Sequence, residues 1–310
     1  MVRFLSLLIL LFFSCSTKEH LDVIIDEIPH NQMEFQKMLI AQLSGETPIK
    51  IGGFEKIIIK DRWTSKNKLL SKEYIEKVIE KIGLEPKIQS YTIPNSNFVM
   101  DLLIEPIRGH NIYTILPSTV QSNEYVILGA HYDTGGRNVP GAIDNGSGIA
   151  LILGVLEKVQ ALEFRNKNIM IVFFDQEEEG ISAGSAAFAN YLNQKVVKIH
   201  SVHSFDMIGW DSDNNNEIEL ELPSIAIENL YKKHASRLNI PIYSTKINSS
   251  DHYSFIKKGI NAVGVSQAYG KGDNSGLKDT SQDKYPLVNF EYLESSTNLA
   301  YEVIKELMDD

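Results

Sequence analysis

The chain has 310 residues, 43% hydrophobic and 23% charged, enough to bury a full core in one large domain. Its formal net charge of −10 and its lack of a basic run argue against a nucleic-acid partner, because phosphate binding needs clustered Lys and Arg. A single cysteine, Cys15, excludes an intramolecular disulfide.

Arg3 precedes an apolar run from Phe4 to Phe13, broken only by Ser6. The run is too short to span a bilayer and suits a secretory signal. Ser14-Cys15 follows at once and resembles a bacterial lipoprotein signal, in which the Cys is acylated and becomes the new N-terminus. The plainer alternative is an ordinary signal peptide with an incidental Cys. The expected organisation is a signal peptide over 1–14, a lipid-anchored tether over 15–28 and a folded domain over 29–310. That places the domain in the cell envelope, on the periplasmic or outer-surface side.

Helical spacing predicts a helix over 32–43, ended by Ser44-Gly45. A second amphipathic helix is expected over 69–84, with Leu70, Tyr74, Ile75, Val78 and Ile82 on one face and Gly83 at its end. Strands are expected at 87–93, 111–116 and 125–130. The last is continuously apolar, as a strand buried on both faces should be. Alternation follows: helix 146–160, strand 168–174, helix 182–193, strand 198–206. Helices at 224–238 and 251–257, a strand at 260–265 and a helix at 290–308 complete the chain. Asp211–Asn216 reads as a turn and Tyr269–Lys284 as a polar loop. The pattern predicts an α/β fold, a mainly parallel mixed sheet with helices on both faces.

Chemistry-bearing residues gather at the ends of successive strands. His131 follows an apolar strand, and Asp133 is spaced to accept its other ring N–H. Asp144 stands in Gly141-Ala-Ile-Asp-Asn-Gly-Ser-Gly148, where small residues permit close backbone approach. Glu177-Glu178-Glu179 follow the strand ending at Phe174, and Asp206 ends the strand from Ile199. Singly, each has a plain structural explanation: a hydrogen-bonded His, a capping loop, a solvated acidic turn. Together they offer one imidazole and four carboxylates, a donor set that suits zinc. Of two adjacent carboxylates, one can bind metal while the other takes a proton from water. His203 faces away from Asp206 by strand alternation and reads as structural; His200 is left unassigned.

These four motifs, in this order and spacing, resemble the di-zinc aminopeptidases of metallopeptidase clan MH, relatives of glutamate carboxypeptidase and glutaminyl cyclase. The resemblance covers roughly residues 54–308, with Arg108-Gly-His-Asn111-Ile matching the strand before the first ligand. It implies a zinc-peptidase, or phosphorylase/hydrolase-like, fold. By that likeness His131 and Asp206 hold one zinc, Glu178 helps hold a second, and Asp144 bridges both. Glu177 is then the general base, with Asp133 behind His131. Ser250-Asp251-His252-Tyr253 resembles the segment at the pocket edge, which makes Asp251 and His252 substrate-binding candidates. The family's last ligand, a His preceded by Tyr, is replaced here by Asn274-Ser275, four residues before Asp279-Thr280. Asp273, Tyr269 and His252 are the candidates to compensate, and the number of zinc ions stays open between one and two.

The implied activity is zinc-dependent removal of N-terminal residues from peptides through zinc-bound hydroxide. A catalytically impaired member that binds peptide or a single zinc is a second reading, and a glutaminyl cyclase is a third.

Overall fold

The computed structural model describes residues 21–52, 55–93, 106–179 and 182–309. The expected signal peptide, Cys15 and the start of the tether lie outside the described residues. In chain order the elements are β1 (Val23–Ile24), α1 (Gln32–Leu43), β2 (Ile49–Ile51), β3 (Glu55–Ile57), α2 (Ser65–Lys81), β4 (Lys87–Ile93), β5 (Ile107–Leu116) and β6 (Glu124–His131). A wide turn, Ala142–Ser147, leads into α3 (Gly148–Gln160). Then come β7 (Asn168–Phe174), α4 (Ala183–Gln194), β8 (Lys198–Asp206), β9 (Ile218–Glu221), α5 (Ile225–Leu238), β10 (Ile242–Thr245), α6 (His252–Ile256), β11 (Ala262–Gln267) and α7 (Phe290–Asp309).

Eight strands form the central sheet in the order β10-β9-β11-β8-β6-β7-β5-β4. The junctions β10–β9, β11–β8, β8–β6 and β6–β7 are parallel, whereas β9–β11, β7–β5 and β5–β4 are antiparallel. The sheet is therefore mixed and mainly parallel, as the strand–helix alternation predicts. Every residue of β7 is buried. Alternation then feeds two cores: Ile169, Ile171 and Phe173 pack on the face carrying α1, α3 and α7. Met170, Val172 and Phe174 pack on the opposite face with Phe188 of α4 and Phe255 of α6.

Register brings the site strands level. His131 pairs with Phe174 across β6–β7, and Ser266 pairs with Asp206 across β11–β8. His131, the turn after Phe174 and Asp206 thus emerge at one edge, the carboxyl ends of the parallel strands, where α/β sheets open their crevice.

Three differences from the sequence reading have local causes. α2 starts at Ser65 rather than 69, because Asp61 Oδ1 accepts from Thr64 N and Thr64 Oγ1, both at 2.8 Å, and sets the first turn before any apolar residue marks it. β9 and β10 are strands that the apolar pattern does not flag: β9 is Ile-Glu-Leu-Glu with both glutamates buried. Part of the expected tether is fixed to the domain, since β1 pairs antiparallel with β2 and Val23 is buried.

Below the site lies Arg62, fully buried just before α2. It donates to four backbone carbonyls: Tyr132 at 2.6 Å, Pro140 at 2.7 Å, Gly141 at 2.9 Å and Leu43 at 3.0 Å. These bonds tie the end of α1 to the loops after β6. Burial opposes the charge, lowering the pKa to about 10, while Asp283, Asp133 and Asp144 support it, so the guanidinium stays ionised at neutral pH. Arg62→Met is expected to destabilise the chain by roughly 3 kcal/mol or more, because buried carbonyls lose charged donors. Urea unfolding checks this, and Arg62→Lys, with fewer donors, should recover only part of the loss.

Candidate active site

His131 closes β6 and is 1% exposed. Its Nε2 lies 3.2 Å from Asp144 Oδ1 and 3.3 Å from Asp206 Oδ1. Its Nδ1 lies 3.5 Å from Asp133 Oδ1. Burial works against protonating this ring, but Asp206, Asp133 and Asp144 outweigh it and raise the pKa well above the usual histidine range. The same pairing, with a 2.8 Å hydrogen bond from Ser250 Oγ, overcomes burial at Asp206 and lowers its pKa.

Asp144 sits in the wide turn before α3, and the Asp144–Asn145 peptide is cis. Small residues are required here. A Cβ at Gly148 would meet Asn145 Oδ1 at 2.3 Å and Phe205 O at 2.6 Å, and Gly141 holds φ +62° with Asp144 O 2.4 Å from where its Cβ would be. Asp283 clamps the turn, accepting from Ile143 N and Asp144 N, both at 2.9 Å. The sequence reading missed Asp283, and no local pattern marks it.

The acidic run after β7 divides by direction. Asp133 accepts from Glu177 N at 3.1 Å and Glu178 N at 3.2 Å, so one carboxylate holds the turn and faces His131. Glu177 and Glu178 line a cavity of about 240 Å³ together with His131, Asp144 and Asp206. Glu179 turns into a separate cavity beside Trp63, Lys68 and Lys72. Burial, and then Asp144, pushes the Glu178 carboxyl up to about 10. Burial raises Glu177 well above the carboxylate range, with His131 opposing the rise and Asp251, Asp206 and Asp144 adding to it.

His131, Asp144 and Glu178 offer ligand atoms within 4.8 Å of one another. Asp144 Oδ1 and Glu178 Oε1 are buried without hydrogen-bond partners. Orphaned carboxylate oxygens beside one imidazole nitrogen are a donor set that fits a divalent cation.

Other expected residues are placed differently. Asp251 and His252 do not reach the cavity wall; their segment meets it through Ser249 and Ser250. The short helix α6 begins at His252 and turns both side chains inward, where Asp251 is 1% and His252 0% exposed. Asp273 is turned away, accepting from Trp210 Nε1 and Ser212 N, both at 3.1 Å, so it supplies no replacement ligand. Ser275 Oγ accepts from Leu277 N at 3.1 Å, within its own turn. The loop delivers Lys278 and Tyr269 to the cavity instead. Burial disfavours the Lys278 charge, yet Asp144, Asp206 and Asp279 outweigh it and raise its pKa. His203 is structural as expected: fully buried, 3.1 Å from Tyr231 Oη and 3.0 Å from Ser201 Oγ. Glu221 also lines the cavity and was missed, because it ends a strand whose buried face is acidic.

The model of Peptidase family M28 matches residues 111–304, and the chain belongs to that family. It is 28% identical over 219 residues to a probable leucine aminopeptidase of Arthroderma otae, covering 63% of this chain and 56% of that protein. It is 26% identical over 202 residues to aminopeptidase YwaD of Bacillus subtilis, covering 61% and 43%. The matches thus span about half the length of these curated relatives. A solved zinc aminopeptidase from Bacillus subtilis shares the fold with a TM-score of 0.74 at 16% identity, covering 91% of this chain and 96% of that one. A Porphyromonas gingivalis glutaminyl cyclase shares it at 0.71 and 15%, covering 88% and 98%.

Asp251 yields a signed pH dependence. Neither carboxylate oxygen accepts a well-formed hydrogen bond, and burial raises the pKa to about 7, with His131 opposing. In the unfolded chain this carboxyl titrates near 3.9. Between these values the native state holds a proton that the unfolded state has lost, so this residue's contribution to stability falls as pH rises, then levels above about 7. Asp251→Asn in chelator should therefore gain stability relative to the unsubstituted chain from pH 4 to 7. Thermal unfolding of both proteins across that range checks the sign.

Proposed function

We propose that the chain is a zinc-dependent exopeptidase, an aminopeptidase that removes N-terminal residues from peptides outside the cytoplasm. The observation that carries this reading is the buried cluster of His131, Asp144, Glu178 and Asp206, with its orphaned oxygens, beside a further carboxylate, Glu177. The names of the relatives agree with it.

His131, Asp144 and Asp206 would hold one zinc, and Glu178 with Asp144 would help to hold a second. Zinc bound there would supply a Lewis acid for the peptide carbonyl and would make the attacking water acidic enough to react near neutral pH. Ser250 orients Asp206 by its hydrogen bond. Asp133 orients both the imidazole and the Glu177–Glu178 turn. Glu177, in the same cavity as the cluster, would take the proton of the attacking water and return it to the leaving amine. Tyr269 and Lys278 face this centre from the loop side and bring the donors that Asn274-Ser275 do not. The Lys278 ammonium already neutralises part of the charge a second zinc would meet, so the second ion binds more weakly. The competing reading, a silent family member, is favoured by Ser275, whose Oγ is taken up within its own turn.

Glu177→Gln is expected to lower hydrolysis of aminoacyl amides by about 10²–10⁴-fold with zinc content retained, since Gln keeps the shape and loses the basicity. Glu178→Ala should instead reduce bound metal, and the unaltered chain should keep close to one equivalent after dialysis. Turnover and elemental analysis on the same samples check this. Wild-type turnover in Glu177→Gln refutes the base, and two equally tight ions refute the unequal sites. No turnover on any peptide, and none with N-terminal Gln assayed for ammonia, supports the silent reading.

We also propose attachment to a membrane through acylated Cys15. The support is the Phe4–Phe13 run ending at Ser14-Cys15; among the described residues, no helix is long and apolar enough to cross a membrane. Each buried acyl CH₂ contributes about 0.8 kcal/mol, so a multiply acylated Cys holds stably. Cys15→Ser should release the protein from membrane fractions or block processing, and an unmodified N-terminal mass in the wild type refutes the anchor.

A further inference from the structure

Beyond the acidic cluster the cavity continues past Met207, Glu221, Ile247, Ser266 and Tyr269. Glu221 is only 5% exposed and lacks a matched partner. Ser266 Oγ reaches its Oε1 at a long 3.4 Å. His252 Nδ1 lies 3.4 Å from its Oε2. However, His252 Nε2 lies 3.2 Å from the Ile247 carbonyl oxygen, which only accepts. Nε2 therefore carries the ring proton, and Nδ1 presents a lone pair to the carboxylate. Burial keeps this ring neutral, its pKa lowered to about 4. Lys278 faces the same cavity, and its charge acts on Glu221 and opposes the rise of its pKa. Burial, Asp206 and Glu219 together push the Glu221 carboxyl up to about 8. Glu221 is therefore largely protonated in the empty cavity at neutral pH, and a cationic group brought against its carboxyl would displace that proton.

Register fixes which part of a substrate arrives there. Asp206 on β8 pairs with Ser266 on β11, and Gly264 on β11 pairs with Glu221 on β9. Glu221 therefore stands two strands from Asp206 and two residues further along, about 12 Å at ordinary strand spacing and rise. A substrate's α-amino group must stay beside the scissile carbonyl, at the cluster. What reaches Glu221 is the end of a long side chain. Met207, Ile247 and Tyr269 offer apolar surface for a methylene stem. Glu221 and Ser266 offer acceptors for a charged head, where hydrogen bonds are strongest.

We propose that the Glu221 end of the cavity is a subsite for a cationic N-terminal side chain, so that the preferred substrates are peptides beginning with Lys or Arg. The subsite rests on the aminopeptidase reading of the neighbouring centre.

The test uses the zinc-loaded chain and two readouts. In the first, kcat/KM is compared for Lys, Arg and Leu coumarin amides. Lys and Arg should exceed Leu on the order of tenfold or more. Glu221→Gln should collapse the Lys-to-Leu ratio, mainly through KM, while Glu221→Asp keeps a cationic preference. In the second, calorimetry compares L-lysine with L-norleucine, which has a similar stem without the charge. Lysine should bind at least tenfold tighter, and Glu221→Gln should remove the difference. A Leu preference in the unaltered chain, or a ratio that survives Glu221→Gln, overturns the subsite and leaves the hydrolytic reading standing. If no aminoacyl amide is cut, the hydrolytic reading falls and the calorimetry decides alone: equal binding of lysine and norleucine, or no binding of either, overturns the subsite.

Discussion

Mutual repulsion among buried carboxylates is the constraint on which the rest of this molecule depends. Asp144, Glu177, Glu178, Asp206 and Glu221 share one cavity with His131 and Lys278. Charges this close and this poorly solvated are costly unless a cation joins them. The protein answers in two ways. It aims its few cations at the cluster: the His131 imidazole against Asp144 and Asp206, Lys278 from the loop side, and the Arg62 guanidinium beneath. What stays uncompensated appears as carboxyls held far above their ordinary range and as oxygens without partners. A folded chain tolerates such an arrangement when a positively charged ligand or ion resolves it, which ties the electrostatics of the cavity directly to its proposed chemistry.

Holding such groups together requires a stiff frame. The sheet provides it through level strand ends, and its strands are anchored by apolar residues on both faces. The turns beyond the strand ends are then positioned by polar groups that never face the cavity. Asp283 holds the Asp144 turn by two backbone amides, Asp133 holds the Glu177–Glu178 turn by two more, and Arg62 binds the carbonyls on the other side of the same loops. Buried charges spent on backbone groups in this way fix loop geometry that apolar packing alone would leave loose.

The loop between β11 and α7 shows how a site changes character without changing its scaffold. Ser275 stands at the position where the resemblance leads one to expect an imidazole, and it closes its own turn. Three residues later, Lys278 enters the cavity in its place. It brings a positive charge to a cavity where the resemblance implies a neutral metal ligand. On the far wall, Glu221 gives an acidic end to a cavity whose sides are partly apolar.

Much of this was legible in the amino-acid sequence. Apolar runs such as Asn168–Phe174 and the spacing of Gln32–Leu43 determine strand and helix locally, and both elements stand where the pattern places them. His131, Asp144, Glu177, Glu178 and Asp206 were singled out by their places at strand ends or in a small-residue turn and by the resemblance their order carries, and the fold brings all five to one cavity. The rest was decided by tertiary structure. Nothing near Arg62, Asp283 or Glu221 distinguishes them from surface charges; only the folded chain shows them buried against partners 19 residues or more away in sequence. Asp251 and His252 were misplaced for the same reason, since sequence carries the presence of a short helix but not the direction its side chains take when it packs. Local pattern specifies what an element is, whereas the direction in which a polar side chain points depends on which distant backbone groups and charges the fold brings within reach.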